Sequence, residues 1–330
     1  MSTLVTLRSG RQFTCDPGES ILAAAERARV VLPYSCRTGR CSSCKCMLSG
    51  GETIALQDEI GLSTGEKAKG WILSCVRTAV SSLQLDVLDL TGIEIPPRKT
   101  LPCRIDALER LNADVLQVTL RLPPSSNFEF FPGQYIDMIA GPSLRRSYSI
   151  ANAPRADKRL DLHVREVPGG AMSAYWFHRA KVNDLLRLDG PLGTFFLREI
   201  SDRNLVFLAT GTGIAPVRAM LQGLAAAGPT DGPRSVSVYW GARDVDDLYC
   251  EIKSGAPEVS YKPVLSRANS SWSGARGHVQ DIFLGEKPDL ANTAVYACGS
   301  EAMISSARAR LIQAGLPPNC FESDAFVCSI

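Results

Sequence analysis

The chain has 330 residues, 45% of them hydrophobic and 21% charged, a composition that excludes a disordered protein. Lys plus Arg number 36 against 34 Asp plus Glu, and a net charge of +2 is too small for a strong nucleic-acid binder. Eleven cysteines are the unusual count; an odd number cannot all pair, and in a chain of this size a cofactor is the first reading. At roughly 100–200 residues per domain the length holds two or three domains. The opening MSTLVTLRSG lacks the apolar core of a signal peptide, and there is no apolar run of about 18 residues. The expectation is a cytoplasmic protein in a reducing compartment, with no membrane span.

In chain order, Leu4–Arg8 and Arg11–Thr14 read as strands joined at Ser9-Gly10. Ser20 caps a helix over Ile21–Arg29, and Leu83, Leu85 and Val87 alternate as a closing strand. Ile95-Pro96-Pro97-Arg98-Lys99 reads as a linker. Beyond it, Leu116–Leu122 and Leu160–Val164 alternate as strands, while Pro132-Gly133 and Gly190-Pro191-Leu192-Gly193 read as turns. That pattern predicts a small antiparallel β-barrel. From about residue 203 the rhythm changes. The continuous apolar run Leu205–Ala209, helical Ala215–Ala227, and strands at Ser235–Trp240, Val259–Val264 and Ala294–Cys298 predict a doubly wound parallel α/β domain. The expected domains are 1–93, 99–200 and 203–330.

Cys36, Cys41 and Cys44 stand as C-x4-C-x2-C, with Cys75 downstream, the plant-type [2Fe–2S] spacing. Four thiolates would hold two irons, and Gly39 would let the backbone approach the sulfides. Zinc is the competing metal, but it favours paired C-x2-C knuckles or added histidines. His163, His178 and His278 lie far off in sequence, and no C-x-H pair supports a Rieske centre. Tyr34-Ser35-Cys36 through Cys44 closely resembles the loop of plant-type ferredoxins, whose fold is a β-grasp. Ser42 stands where many relatives have Gly.

Arg146-Ser147-Tyr148-Ser149, with Phe131-Pro132-Gly133-Gln134-Tyr135 upstream, resembles the flavin domain of the ferredoxin–NADP reductase superfamily. The resemblance implies that Arg146 pairs with a flavin phosphate, Tyr148 packs on the isoalloxazine face and Ser149 hydrogen-bonds near N5, with Ser147 in the same segment. It implies a second phosphate site at His163-Val164-Arg165 and Gly169-Gly170-Ala171-Met172-Ser173, with Ser173 beginning a helix. Two phosphate sites favour FAD over FMN.

Gly211-Thr212-Gly213-Ile214-Ala215-Pro216 follows a buried strand and opens a helix, a setting for phosphate, although Pro216 in sixth place departs from G-x-G-x-x-G. The form is similar to that of ferredoxin reductases. The resemblance further implies that Cys298-Gly299 lies beside the nicotinamide and that Phe326 covers a flavin face. Ser149, Cys298 and Phe326 are then the expected hydride-site residues. Gly241 and Arg243 fall where an adenine ribose would lie. Asp244, Asp246 and Asp247 there disfavour a 2′-phosphate while Ser266-Arg267 could meet one, and it is the resemblance to NADH-dependent reductases that favours NADH over NADPH.

The order iron–sulfur, flavin, nicotinamide resembles the three-part reductase components of bacterial Rieske-type and aromatic-ring oxygenases. It is also similar to CDP-6-deoxyglucoseen reductases, which feed a sugar-nucleotide dehydrase. The implied protein is an NAD(P)H-dependent iron–sulfur flavoprotein oxidoreductase. It acts as a monomer that docks transiently on a redox acceptor near Arg37, Thr38 and Arg40, without nucleic acid or membrane. A redox-sensing subunit is disfavoured by domain order, and a stand-alone oxidase by the lack of an acid–base constellation. Cys15, Cys46, Cys103, Cys250, Cys320 and Cys328 are left as free thiols.

Overall fold

The computed structural model describes residues 1–141, 144–228, 232–252 and 258–327. Two compact units meet in sequence between Ile95 and Pro96.

In the first unit, β1 (Thr3–Leu7) and β2 (Gln12–Cys15) form the expected hairpin. Helix α1 (Ile21–Arg27) is capped by Ser20, whose Oγ accepts from the Ala23 N–H at 3.2 Å. It stops two residues before the expected end, because Arg29 turns left-handed at φ 57° and Val30 N–H closes on the Ala25 carbonyl. Then come β3 (Lys45–Gly50), β4 (Thr53–Ala55), α2 (Thr64–Ala68), β5 (Trp71–Leu73), β6 (Arg77–Ala79) and β7 (Leu83–Asp86). Five strands form one sheet in the order β2-β1-β7-β3-β5, with β7 parallel to β1, and β4 pairs with β6 apart from it. This is a β-grasp. Its core joins Val5, Phe13, Ile21, Leu32, Leu73 and Leu83. The cysteine loop runs between α1 and β3 with no regular structure of its own.

The second unit opens with an antiparallel barrel. Its strands are β8 (Lys99–Arg110), β9 (Val115–Arg121), β10 (Tyr135–Gly141), β11 (Leu144–Ser149), β12 (Arg159–Arg165) and β13 (Leu185–Leu192), ordered β11-β10-β13-β8-β9-β12. A bridge between Ile150 and Leu162 joins its two ends. Helix α3 (Ala171–His178) follows β12. Gly190 and Pro191, expected as a turn, are the last part of β13. Pro191 is tolerated because the pairing with β10 slips between Asp189 and Leu192, so no ladder N–H is required of it. Helix α3 begins at Ala171 rather than Ser173. Extended Gly170 is its cap, and the Ser173 hydroxyl turns back to accept the Val167 N–H at 2.8 Å.

The chain continues into β14 (Asn204–Thr210), α4 (Ile214–Ala227), β15 (Ser235–Ala242), β16 (Val259–Leu265), β17 (Ala275–Arg276), α5 (Val279–Gly285), β18 (Thr293–Gly299), α6 (Glu301–Gln313) and β19 (Phe321–Ala325). The sheet order is β17-β16-β15-β14-β18-β19, all parallel. The chain leaves β14 towards one side and returns as β18 on the other, so the switch point lies at the ends of these two strands.

Barrel and α/β sheet form one unit along β12. Arg165 pairs with Asp247 at 2.9 Å and with Asp114 at 2.8 Å. His163 is buried, with Nδ1 at 3.2 Å from the Tyr249 hydroxyl and Nε2 at 3.3 Å from the Arg218 guanidinium. Burial first, and then Arg218, pull His163 down to about 3. The unfolded chain therefore takes up a proton between that value and about 6.5 that the folded unit refuses, and stability falls as pH drops through this range. His163→Gln removes this contribution. Chemical denaturation at pH 7 and pH 5 is expected to show a smaller acid loss for the variant than for the parent.

Candidate functional site: a four-thiol loop and a glycine-lined strand switch

The four expected cluster thiols lie together in the first unit. Cys41, Cys44 and Cys75 are buried and Cys36 is partly exposed. They stand as two pairs. The Cys44 and Cys75 sulfurs are 3.2 Å apart, and the Cys36 and Cys41 backbone N–H groups each point at the other's sulfur, at 3.3 and 3.4 Å. The Thr38 N–H adds a third contact to Cys36 at 3.4 Å. The Cys41 thiol, with Thr38 and the Arg40 backbone, draws Cys36 below an ordinary thiol against the cost of burial. Cys75 is lowered in the same way by Cys44, while Cys41 and Cys44, the proton-holding partners, are raised. Cys44 also feels Cys41, and Cys75 feels Cys36, so the four sulfurs act on one another as a set.

The loop needs unusual backbone. Arg37, Gly39 and Ser42 all have φ near +60 to +73°. A Cβ on Gly39 would come within 2.5 Å of the Asp58 carbonyl oxygen, so glycine is required there. Ser42 occupies the conformation that explains why glycine is common at its position in ferredoxins, and its Oγ donates to the Gly61 carbonyl. Among the described residues no three or more His, Cys, Asp or Glu are arranged to hold a metal ion. Two thiol pairs with N–H groups aimed at sulfur are instead what a two-iron, sulfide-bridged cluster asks for. Of the expected rim, Thr38 is exposed. Arg37 is drawn back by Glu26 and lies over the Tyr34 ring at 4.5 Å.

In the second unit, the alternation along β11 separates two sets of side chains. Arg145 and Ser147 lie on one face. Ser147 donates to Asp137 at 2.5 Å, and Arg145 pairs with Asp137 and Asp189. Arg146 and Tyr148 lie on the other, where the Tyr148 hydroxyl accepts from the Trp176 indole N–H at 3.1 Å. Among the described residues no carboxylate pairs with Arg146, which donates only to the neighbouring Arg145 carbonyl at 2.8 Å. A cation left unneutralised beside an aromatic ring suits the phosphate and ring of a flavin nucleotide. Ser149 is buried at the end of the strand. Val164 is buried in β12 beside His163, while the Gly169-Gly170 turn leads into α3, where Met172 is buried.

At the strand switch, Gly211–Gly213 form one tight turn before α4, and Ala215 and Pro216 are buried in its first turn. A Cβ on Gly213 would meet the Cys298 carbonyl oxygen at 2.2 Å, and one on Gly299 would meet Thr210 Oγ1 at 2.3 Å. The Ser300 N–H donates to the same Thr210 Oγ1 at 3.0 Å. Two strand ends are thus in backbone contact, a cradle that only glycine permits and that suits a dinucleotide. A Cβ on Gly211 would lie 2.9 Å from the Arg165 guanidinium, so the barrel's β12 abuts this turn. Cys298 is fully buried, in register with Asp324, and burial followed by that carboxylate keeps its thiol protonated. The Phe326 N–H donates to the Gly299 carbonyl at 2.8 Å, which brings this exposed residue to the same edge. At the end of β15, Gly241 packs against Val279, and the Arg243 N–H donates to Asp247, the carboxylate that also pairs with Arg165. Ser266 and Arg267 N–H groups donate to the Ala242 and Arg243 carbonyls. Cys328 and the end of the segment after Val327 lie outside the described residues.

Sequence reasoning missed Trp176, Tyr249, Arg218 and the pair Glu59–Arg77. Only Trp176 carried a signal, as an aromatic in a helix six residues after the glycine pair.

The profile of the 2Fe-2S iron-sulfur cluster binding domain matches residues 5–80. That of the oxidoreductase FAD-binding domain matches 102–197, and that of the oxidoreductase NAD-binding domain 207–309. The CDP-6-deoxy-L-threo-D-glycero-4-hexulose-3-dehydrase reductase of Yersinia pestis is 42% identical, over 97% of each chain. The xylene/toluene monooxygenase electron transfer component of Pseudomonas putida is 32% identical, over 98% of this chain and 93% of its own. The crystal structure of the Amycolatopsis cytochrome P450 reductase superposes with a TM-score of 0.77 at 28% identity, covering 98% of both chains. The chain therefore belongs to the [2Fe–2S]/FAD/NAD(P)H reductases of the ferredoxin–NADP reductase superfamily, and is an NAD(P)H-dependent iron–sulfur flavoprotein oxidoreductase.

Proposed function

We propose that this chain is the reductase component of a multicomponent enzyme, taking electrons from NADH and delivering them singly to a partner protein. The observation that carries this reading is the cradle at Gly213 and Cys298, abutted by Arg165 of the barrel, in a chain that also holds the four-thiol loop. When bound, the flavin supplies conversion of a two-electron hydride to single electrons, and the cluster supplies one-electron delivery.

The chain's own groups hold and align. Arg146 clamps a flavin phosphate while Tyr148, steadied by Trp176, covers one ring face. Ser149 lies at the reacting edge, Phe326 covers the ring face opposite Tyr148, and Cys298 lies beside the nicotinamide, where the closed site excludes water. The backbone of Gly211, Thr212 and Gly213 and the start of α4 receive the dinucleotide phosphates. His163 acts indirectly in this reading, fixing β12 through Tyr249 and Arg218. Cys36, Cys41, Cys44 and Cys75 are the iron ligands. Asp244 and Asp246 line the ribose end and favour NADH over NADPH.

A terminal oxygenase of the Rieske or aromatic-ring type is the first acceptor class, in line with the monooxygenase component and the order of the three domains. A sugar-nucleotide dehydrase is the second, favoured by the higher identity to the Yersinia reductase. NADH-driven product formation, assayed with one purified acceptor of each class, tests the reading. Turnover with one class identifies the partner, and turnover with neither contradicts both assignments.

Two variants separate the sites. Cys41→Ser is expected to abolish cytochrome c reduction while sparing ferricyanide reduction by the flavin; loss of both would make the thiol loop merely structural. Gly213→Ala forces a methyl onto the Cys298 carbonyl, and kcat/KM for NADH should fall by roughly a hundredfold, as for a misaligned site. Iron and FAD content should stay at parental levels.

A further inference from the structure

Glu59 is nearly fully buried, with its side chain 3% exposed, yet it is neither a ligand nor part of the core. Its backbone segment is laced into the loop that carries the first three thiols. The Gly61 N–H donates to the Gly39 carbonyl at 2.8 Å, and Ser42 Oγ donates to the Gly61 carbonyl. A Cβ on Gly61 would lie 2.6 Å from the Arg40 carbonyl oxygen. The side chain of Glu59 reaches the other way. Oε1 accepts from the Leu73 N–H at 2.9 Å, and Oε2 accepts from the Arg77 guanidinium at 2.7 Å. Leu73 and Arg77 stand two residues before and two residues after Cys75. Arg77 is held in turn by Thr53, whose Oγ1 accepts at 2.9 Å. The carboxylate therefore ties the segment bearing the fourth thiol to the loop bearing the other three, and its charge lies within reach of the buried thiol of Cys46, which also feels Cys75.

We propose that Glu59 and Arg77 are a positioning pair for the iron–sulfur cluster. They clamp both flanks of Cys75 and place one buried negative and one partly buried positive charge beside the cluster, so that its reduction potential depends on both. The proposal rests on the cluster reading given above. It follows from two general rules: groups behind a metal's ligands fix their orientation, and the net charge near a cluster sets how readily it takes an electron. Removing the carboxylate charge eases reduction, and removing the guanidinium charge opposes it.

The test uses the full-length holoprotein and the variants Glu59→Gln, Arg77→Gln and the double variant. Cluster potential is read by EPR-monitored redox titration, with iron, labile sulfide and FAD content measured alongside. Glu59→Gln should shift the potential upward, Arg77→Gln downward, and the double variant should return close to the parent. A purely structural clamp would not give shifts of opposite sign. Shifts of the same sign, or no shift with the cluster retained, overturn the proposal. So does loss of the cluster from all three variants at parental FAD content. Failure of the underlying cluster reading is distinguished by Cys41→Ser, which would then leave the parent's iron content and EPR signal unchanged.

Discussion

The seam along β12 is the contact on which the second unit depends. A barrel and a parallel sheet are separate folds, each with its own core. They become one unit because Arg165 reaches Asp247 and His163 packs against Tyr249 and Arg218. Hydride transfer between two bound rings tolerates little misalignment. A seam of a buried neutral histidine and a doubly paired arginine is stiffer than a solvated loop, and it sets β12 against the turn at Gly211. The two carboxylates on Arg165 also explain why its charge can be partly buried at all.

The first unit solves a different problem. Four thiols must face one another in a loop without secondary structure. Left-handed backbone at Arg37, Gly39 and Ser42 curls that loop, and the segment from Asp58 to Gly61 braces it from behind. Left-handed residues other than glycine cost about 1–2 kcal/mol each. For Ser42 that cost is offset by its hydroxyl contact to Gly61, and for Arg37 by its pairing with Glu26 and its stacking on Tyr34.

Much of this was legible in the sequence because it is written locally. Cysteine spacing, the Ser20 cap, the alternation in β9 and β12 and the apolar run of β14 each depend on neighbours a few residues away. Where partners are remote, the reading failed or stayed coarse. Strand β8 was missed because Pro102 and scattered charges blur its alternation; Pro102 is tolerated because β8 is paired there only with β13. The turn expected at Gly190-Pro191 proved to be strand for the same kind of reason. Glu59 belongs to no motif, and only the folded chain brings Leu73 and Arg77 to it. Ser147 was grouped with Arg146 and Tyr148 by its motif, although strand alternation puts it on the Asp137 face.

Electrons entering from NADH must reach the cluster if the chain works as a reductase component. Anaerobic titration of the holoprotein with NADH, followed by visible absorbance and low-temperature EPR, tests it directly. Flavin absorbance should bleach and the signal of a reduced [2Fe–2S] cluster should appear. A flavin that is fully reduced while the cluster stays oxidised would contradict it.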